Sequence, residues 1–148
     1  VRYPQRRTWK RGTDDFNDWE QVMRVLIADC DSEFLEIAKR FMNQCGHEAL
    51  VASNGLECIA CLRGCLPDVV VLDCELLWGG SDGVCELMNG DPTLAAIPVI
   101  LITDETLDSK TDAGAGLRVV DQVEKPYSLR QLIGRIHAYE MKRLEILV

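Results

Sequence analysis

Five short runs rich in β-branched residues recur along the chain with amphipathic helical stretches between them: residues 25–28 (VLIA), 49–52 (ALVA), 69–72 (VVVL), 99–102 (VILI) and 119–123 (VVDQV). The runs at 25–28, 69–72 and 99–102 are apolar at every position. A strand that is apolar on both faces has to be covered on both faces, which is the condition of a parallel sheet between two helical layers. The pattern predicts an α/β fold of five β/α units, a doubly wound five-stranded parallel sheet with five helices.

Helix boundaries are written between the runs. Phe34, Ile37, Ala38, Phe41, Met42 and Cys45 keep helical spacing, with Ser32 placed as N-cap and Gly46 as stop. Asn54 is placed to cap a second helix (Leu56, Ile59, Ala60, Leu62), Ser81 a third (Val84, Leu87, Met88) and Ser128 a long last one (Leu129, Leu132, Ile133, Ile136, Tyr139). The fourth helical segment, residues 105–116, is weak, because Thr, Asp, Ser and two Gly leave only Leu107, Ala113 and Ala115 for a buried face.

The 148 residues suit one domain with a sizeable core. With 24 acids against 16 bases, a net charge of −8, a broad electrostatic grip on nucleic acid or an anionic membrane is not expected. No apolar run reaches the roughly 20 residues of a membrane span, no secretory leader is visible, and the expected address is cytoplasmic. Seven cysteines without a paired framework fit free thiols in a reducing compartment. Cys58, Cys61 and Cys65 fall along one helical stripe but lack a fourth metal ligand at matching spacing, so they read as packing residues.

Residues 1–22 differ from the rest. They hold five bases and four acids, so residues 23–148 carry −9. Trp9 and Trp19 sit there without periodicity, and the segment reads as an extension, either poorly ordered or docked on a neighbour. Met23 falls just before the first strand, so the expectation is that 1–22 lies upstream of the true start or belongs to a fragment, with the domain proper at 23–148.

In an open parallel sheet, ligands sit beyond the carboxyl ends of the strands. The first strand ends in Asp29-Cys30-Asp31, the third in Asp73 and the fourth in Thr103-Asp104, and the fifth leads into Lys125-Pro126. Crowded carboxylates raise one another's pKa unless a hard divalent cation or an ammonium neutralises them. Such a rim holds Mg²⁺ and accepts a phosphoryl group. Asp73 is placed as the nucleophile, Lys125 as the charge offset and Thr103 as a hydrogen-bond donor to a phosphoryl oxygen.

The motifs VLIADCD, PDVVVLD, VILIT and VEKP resemble those of the receiver domain of bacterial two-component response regulators, with the chemotaxis receivers as the nearest type. The resemblance covers residues 23 to about 140. It implies a flavodoxin-like sheet in strand order 2-1-3-4-5, phosphoryl transfer from a histidine kinase or phosphotransfer protein to Asp73, and dependence on Mg²⁺. The implied metal ligands are Asp29, Asp73 and the backbone carbonyl of Glu75, with Cys30 at the position of the direct acidic ligand; Thr103 and Gln122 occupy the switch positions. The length suits a stand-alone receiver that signals to a downstream protein target, without enzymatic output, nucleic acid or membrane.

Departures from the family pattern set the alternatives. Cys30 is a soft, protonated thiol where an acid is usual, so metal affinity should fall. Asp104 adds a carboxylate where a small residue is usual, and Gln122 replaces the switch aromatic. A pseudo-receiver, an interaction module without phosphotransfer, is the second reading. A phosphohydrolase of the haloacid-dehalogenase type is the third, weakened because Ser32-Glu33 replace the expected glycine and threonine and no late acid pair follows Lys125. Trp78-Gly79-Gly80 reads as an enlarged rim loop, in which Trp78 either packs or anchors a partner. Leu144, Ile146, Leu147 and Val148 at the end of the last helix suggest a homodimer contact or fold back on the domain.

Overall fold

Each of the five runs becomes a strand of one parallel sheet in the computed structural model, which describes residues 10–11, 19–20, 23–76, 80–104 and 117–146. The strands are β1 (Arg24–Ala28), β2 (Glu48–Ala52), β3 (Val69–Asp73), β4 (Val99–Thr103) and β5 (Val119–Glu124). Their order is β2-β1-β3-β4-β5, the expected 2-1-3-4-5. All neighbouring pairs are parallel, for example Val25 opposite both Ala49 and Val69, and Asp73 opposite Ile102.

Alternation along the strands supplies two cores. Leu26, Val70, Leu72 and Leu101 point to one face, with Ile59, Leu62, Val84 and Met88; Val25, Ile27, Val71, Ile100 and Ile102 point to the other, with Ala38, Met42, Leu132 and Ile136. Every residue of β3 is buried, as expected for the middle of a doubly covered sheet. Each fully buried aliphatic side chain contributes about 1.5–3 kcal/mol relative to exposure. β5 is an edge strand with one buried position, Val123, and its pairing with β4 is irregular where Val99 meets Val119 but Ile100 meets Asp121.

The helices are α1 (Ser32–Gln44), α2 (Gly55–Cys65), α3 (Gly80–Asn89), α4 (Pro92–Ala95) and α5 (Leu129–Ile146). Two of the expected caps move. Asp31 rather than Ser32 caps α1, its Oδ1 accepting the N–H groups of Glu33 and Phe34 at 3.1 Å each; a carboxylate also answers the positive end of the helix dipole. Ser81 lies inside the first turn of α3, which begins at Gly80. Asn54 caps α2 as expected, accepting the N–H of Glu57 at 2.9 Å. Ser128 and Gln131 make a reciprocal capping box at α5, with bonds of 3.1 and 2.8 Å. Gly46 ends the α1 turn at φ +88°, a backbone angle that favours glycine.

The four-residue α4 is not foreseen in the sequence reading; Asp91 caps it and Pro92 opens it. The expected helix at 105–116 lies outside the described residues, as do Trp78, Gly79, Leu147 and Val148. Of the N-terminal extension, Lys10–Arg11 and Trp19–Glu20 form a short antiparallel ladder, and the rest lies outside the described residues. All seven cysteines are free thiols; Cys58 and Cys65 are buried on α2, with Cys61 half-buried between them. No helix among the described residues is long and apolar enough to cross a membrane.

Candidate functional site

The carboxyl ends of β1, β3, β4 and β5 bring the expected rim residues together. Asp73, the last residue of the central strand, has no solvent exposure. Its Oδ1 accepts the N–H of Glu75 at 2.9 Å, and Lys125 Nζ stands 2.7 Å from its Oδ2. That contact is an ion pair rather than a well-aligned hydrogen bond, and among the described residues Oδ2 finds no hydrogen-bond donor in good geometry. Lys125 is also 3.9 Å from Glu75 Oε2.

Lys125 is positioned by the sheet itself. The ladder runs one residue past β5, with the Lys125 N–H donating to Thr103 O at 2.8 Å, and the following Lys125–Pro126 peptide is cis. Burial alone would lower the lysine pKa, but the close pairing with Asp73 and the charges of Asp29 and Glu75 raise it above the ordinary value, so the ammonium stays charged.

Asp29 is 7% exposed, and its Oδ1 accepts the N–H of Asp31 at 2.9 Å. Burial first, opposed by that N–H and reinforced by the charge of Asp73, pushes its pKa up to about 6. Lys125 pairs directly with Asp73 and only weakly offsets the charge of Asp29. Asp31 turns away into the α1 cap. Cys30 is exposed, and burial of its sulfur together with Asp29 and Asp73 keeps its thiol above the usual pKa and neutral.

Thr103 and Asp104 stand half-buried at the end of β4, and Gln122 is exposed on β5. A cavity of about 530 Å³ opens over the rim, lined by the polar Asp29, Cys30, Asp31, Asp104 and Lys125 together with Phe34, Pro126 and Tyr127. Tyr127 is the wall residue that sequence reasoning missed. It meets Phe34 edge to face, with centroids 5.9 Å apart and planes at 89°, and burial, then Asp29 and Asp73, raise its pKa. Its place directly after VEKP was the available signal.

The donor set fits a hard divalent cation. Two buried carboxylates against one ammonium leave negative charge uncompensated, Asp73 Oδ2 lacks a hydrogen bond, and Asp29 is destabilised as an anion. Asp29, Asp73 and the Glu75 carbonyl offer oxygen donors; Cys30 offers a neutral sulfur where a third carboxylate would strengthen the set.

The model for the response regulator receiver domain matches residues 25–137. The chain belongs to that family. As a receiver it is 31% identical over 123 residues to the probable transcriptional regulator ycf27 of Guillardia theta, covering 82% of this chain and 46% of that protein. It is 24% identical over 115 residues to the DNA-binding response regulator MtrA of Mycobacterium tuberculosis, covering 78% and 49%. The chain spans about half the length of the curated relatives it matches.

Among solved structures, the chemotaxis response regulator CheY4 of Vibrio cholerae superposes with a TM-score of 0.70 at 18% identity, covering 79% of this receiver and 98% of that chain. The receiver domain of the sensor histidine kinase PA1611 of Pseudomonas aeruginosa, described with a magnesium ion coordinated in its active-site cleft, gives 0.66 at 15% identity over 78% and 93%. At these identities the likeness establishes the fold.

Proposed function

We propose that this receiver accepts a phosphoryl group on Asp73 from the phosphohistidine of a kinase or phosphotransfer protein and relays that state by protein contacts. The observation that carries the reading is the fully buried Asp73 carboxylate at the end of the central strand, with Lys125 Nζ 2.7 Å away. A carboxylate oxygen of Asp73 attacks phosphorus, the P–N bond to imidazole breaks, the histidine leaves with the bonding pair and an acyl phosphate remains. Lys125 offsets charge on the phosphoryl oxygens, and the Thr103 hydroxyl donates to one of them. Asp29, Asp73 and the Glu75 carbonyl would hold Mg²⁺, which supplies further charge neutralisation when bound. The expectation of a receiver acting alone rests on length, and its longer relatives lend it no support; the DNA binding in the name of MtrA describes that longer protein.

A second reading, an interaction module without phosphotransfer, is favoured by one observation: the exposed neutral thiol of Cys30 in the place of an acid. Incubation with acetyl phosphate at high Mg²⁺, followed by intact-mass measurement, separates the two. A gain of one phosphate that Asp73→Asn abolishes supports the phosphoacceptor; no gain in the unmodified chain supports the interaction module.

A further inference from the structure

The other end of the sheet carries a second cluster of ligand-type side chains. His47, directly before β2, is buried, with 8% exposure. The Met23 N–H donates to its Nδ1 at 3.4 Å, so the neutral ring carries its proton on Nε2, directed at His137 Nε2 3.1 Å away. The ring centroids are 5.3 Å apart, with planes tilted by 53°. His137 and Glu140 are three residues apart on α5 and so share one face. One ligand atom from each of His47, His137 and Glu140 lies within 4.8 Å of the others.

We propose that His47, His137 and Glu140 form a second cation site, for a borderline divalent transition ion with zinc as its first occupant, independent of the phosphoryl rim. Two imidazoles and a carboxylate suit zinc, whereas Mg²⁺ asks for oxygen donors throughout. Two nitrogens bound at 2.0–2.1 Å to one tetrahedral zinc stand about 3.3 Å apart, so the observed pair has to open by only a few tenths of an ångström. Glu140 adds a carboxylate oxygen to the two imidazole nitrogens and so completes a three-ligand set. On loading, the neutral His47 ring shifts its proton from Nε2 to Nδ1 and gives up the long Met23 bond. In that tautomer His137 Nε2 is the acceptor and already presents a lone pair. Three protein ligands leave a fourth position for water. The ion would tie α5 to the start of β2 across 90 residues of sequence.

The test is titration of the full chain with Zn²⁺ by calorimetry and with Co²⁺ by visible absorption, in excess Mg²⁺ to occupy the rim. His137→Ala and Glu140→Gln are the informative variants, because neither side chain belongs to the two cores, whereas His47 is buried. The seven thiols are the competing ligands, and a cobalt–thiolate charge-transfer band reports them. The expected result is one equivalent bound without that band. His137→Ala should weaken it by more than the roughly 10–100-fold that loss of an outer-shell partner costs. Equal affinity in the parent chain and both variants, a thiolate spectrum alone, or no binding would overturn the site.

Discussion

Replacing Asp29 by Asn should make the metal-free chain more stable at neutral pH, although it removes a proposed metal ligand. Asp29 has a folded-state pKa of about 6 against an ordinary 3.8, caused mainly by burial and then by the charge of Asp73. A carboxyl whose pKa is raised on folding stabilises the fold when protonated, so stability is lost as pH rises from about 4 through 6. At about 1.36 kcal/mol per unit, the ionised side chain costs on the order of 3 kcal/mol above pH 7. With the group 7% exposed, solvent screening takes little from that figure. Asn retains an Oδ1 to accept the Asp31 N–H, so the local turn survives.

Urea unfolding in EDTA at pH 7.5 and pH 5 measures the effect. The advantage of Asp29→Asn over the parent chain should be about 3 kcal/mol at the higher pH and about half that at the lower, where much of the parent's Asp29 is already protonated. Taking the difference between the two chains cancels every pH effect common to both. Under the proposed Mg²⁺ site, added Mg²⁺ should erase the advantage, because the ion would bind the folded parent chain through this carboxylate. An Asn variant with no gain at pH 7.5, or with a gain that does not shrink at pH 5, would refute the idea that Asp29 is an electrostatically frustrated anion.

Two further substitutions probe the same rim. Cys30→Asp restores an oxygen ligand and should tighten Mg²⁺ several-fold by calorimetry; unchanged affinity would mean that the thiol is not what limits the site. Asp31→Ala should lower stability by about 1 kcal/mol in urea, because two N–H groups of α1 lose their acceptor, while acetyl phosphate labelling of Asp73 is kept. Loss of Mg²⁺ binding in that variant would instead assign Asp31 to the metal.

The sheet was legible because burial on both faces leaves a mark that needs no partner: VVVL and VILI carry their environment in their own composition. The rim was legible for a related reason, since β/α order alone sends Asp29, Asp73, Thr103 and Lys125 to one edge. Helix starts were read less well. DCDS offers two adjacent capping residues, and whether Asp31 or Ser32 takes the role depends on which one adopts extended angles, φ −86° and ψ 101° at Asp31. The turn at Pro92–Ala95 is too short to leave a period, although DPT is a fair start signal. His47 and His137 left no signal at all, because a pair 90 residues apart is made by packing α5 against the start of β2 and by no local spacing.

The rim's chemistry meets the least buried strand of the five-stranded sheet at one side chain. Asp73 belongs to a strand with five buried positions, so little about its own backbone can change. Lys125 directly follows β5, a half-exposed edge strand with one buried residue and an irregular register to β4. An acyl phosphate on Asp73 replaces a point carboxylate with a larger, more negative group, and the ammonium 2.7 Å away has to be repositioned around it. Because the Lys125 N–H is also held by Thr103 O, any such shift pulls on the β4–β5 ladder at the residue whose hydroxyl would meet the phosphoryl oxygens. Under the proposed phosphotransfer, the response therefore falls on β5. Gln122, at the switch position that the family resemblance implies, is an exposed polar amide on that strand.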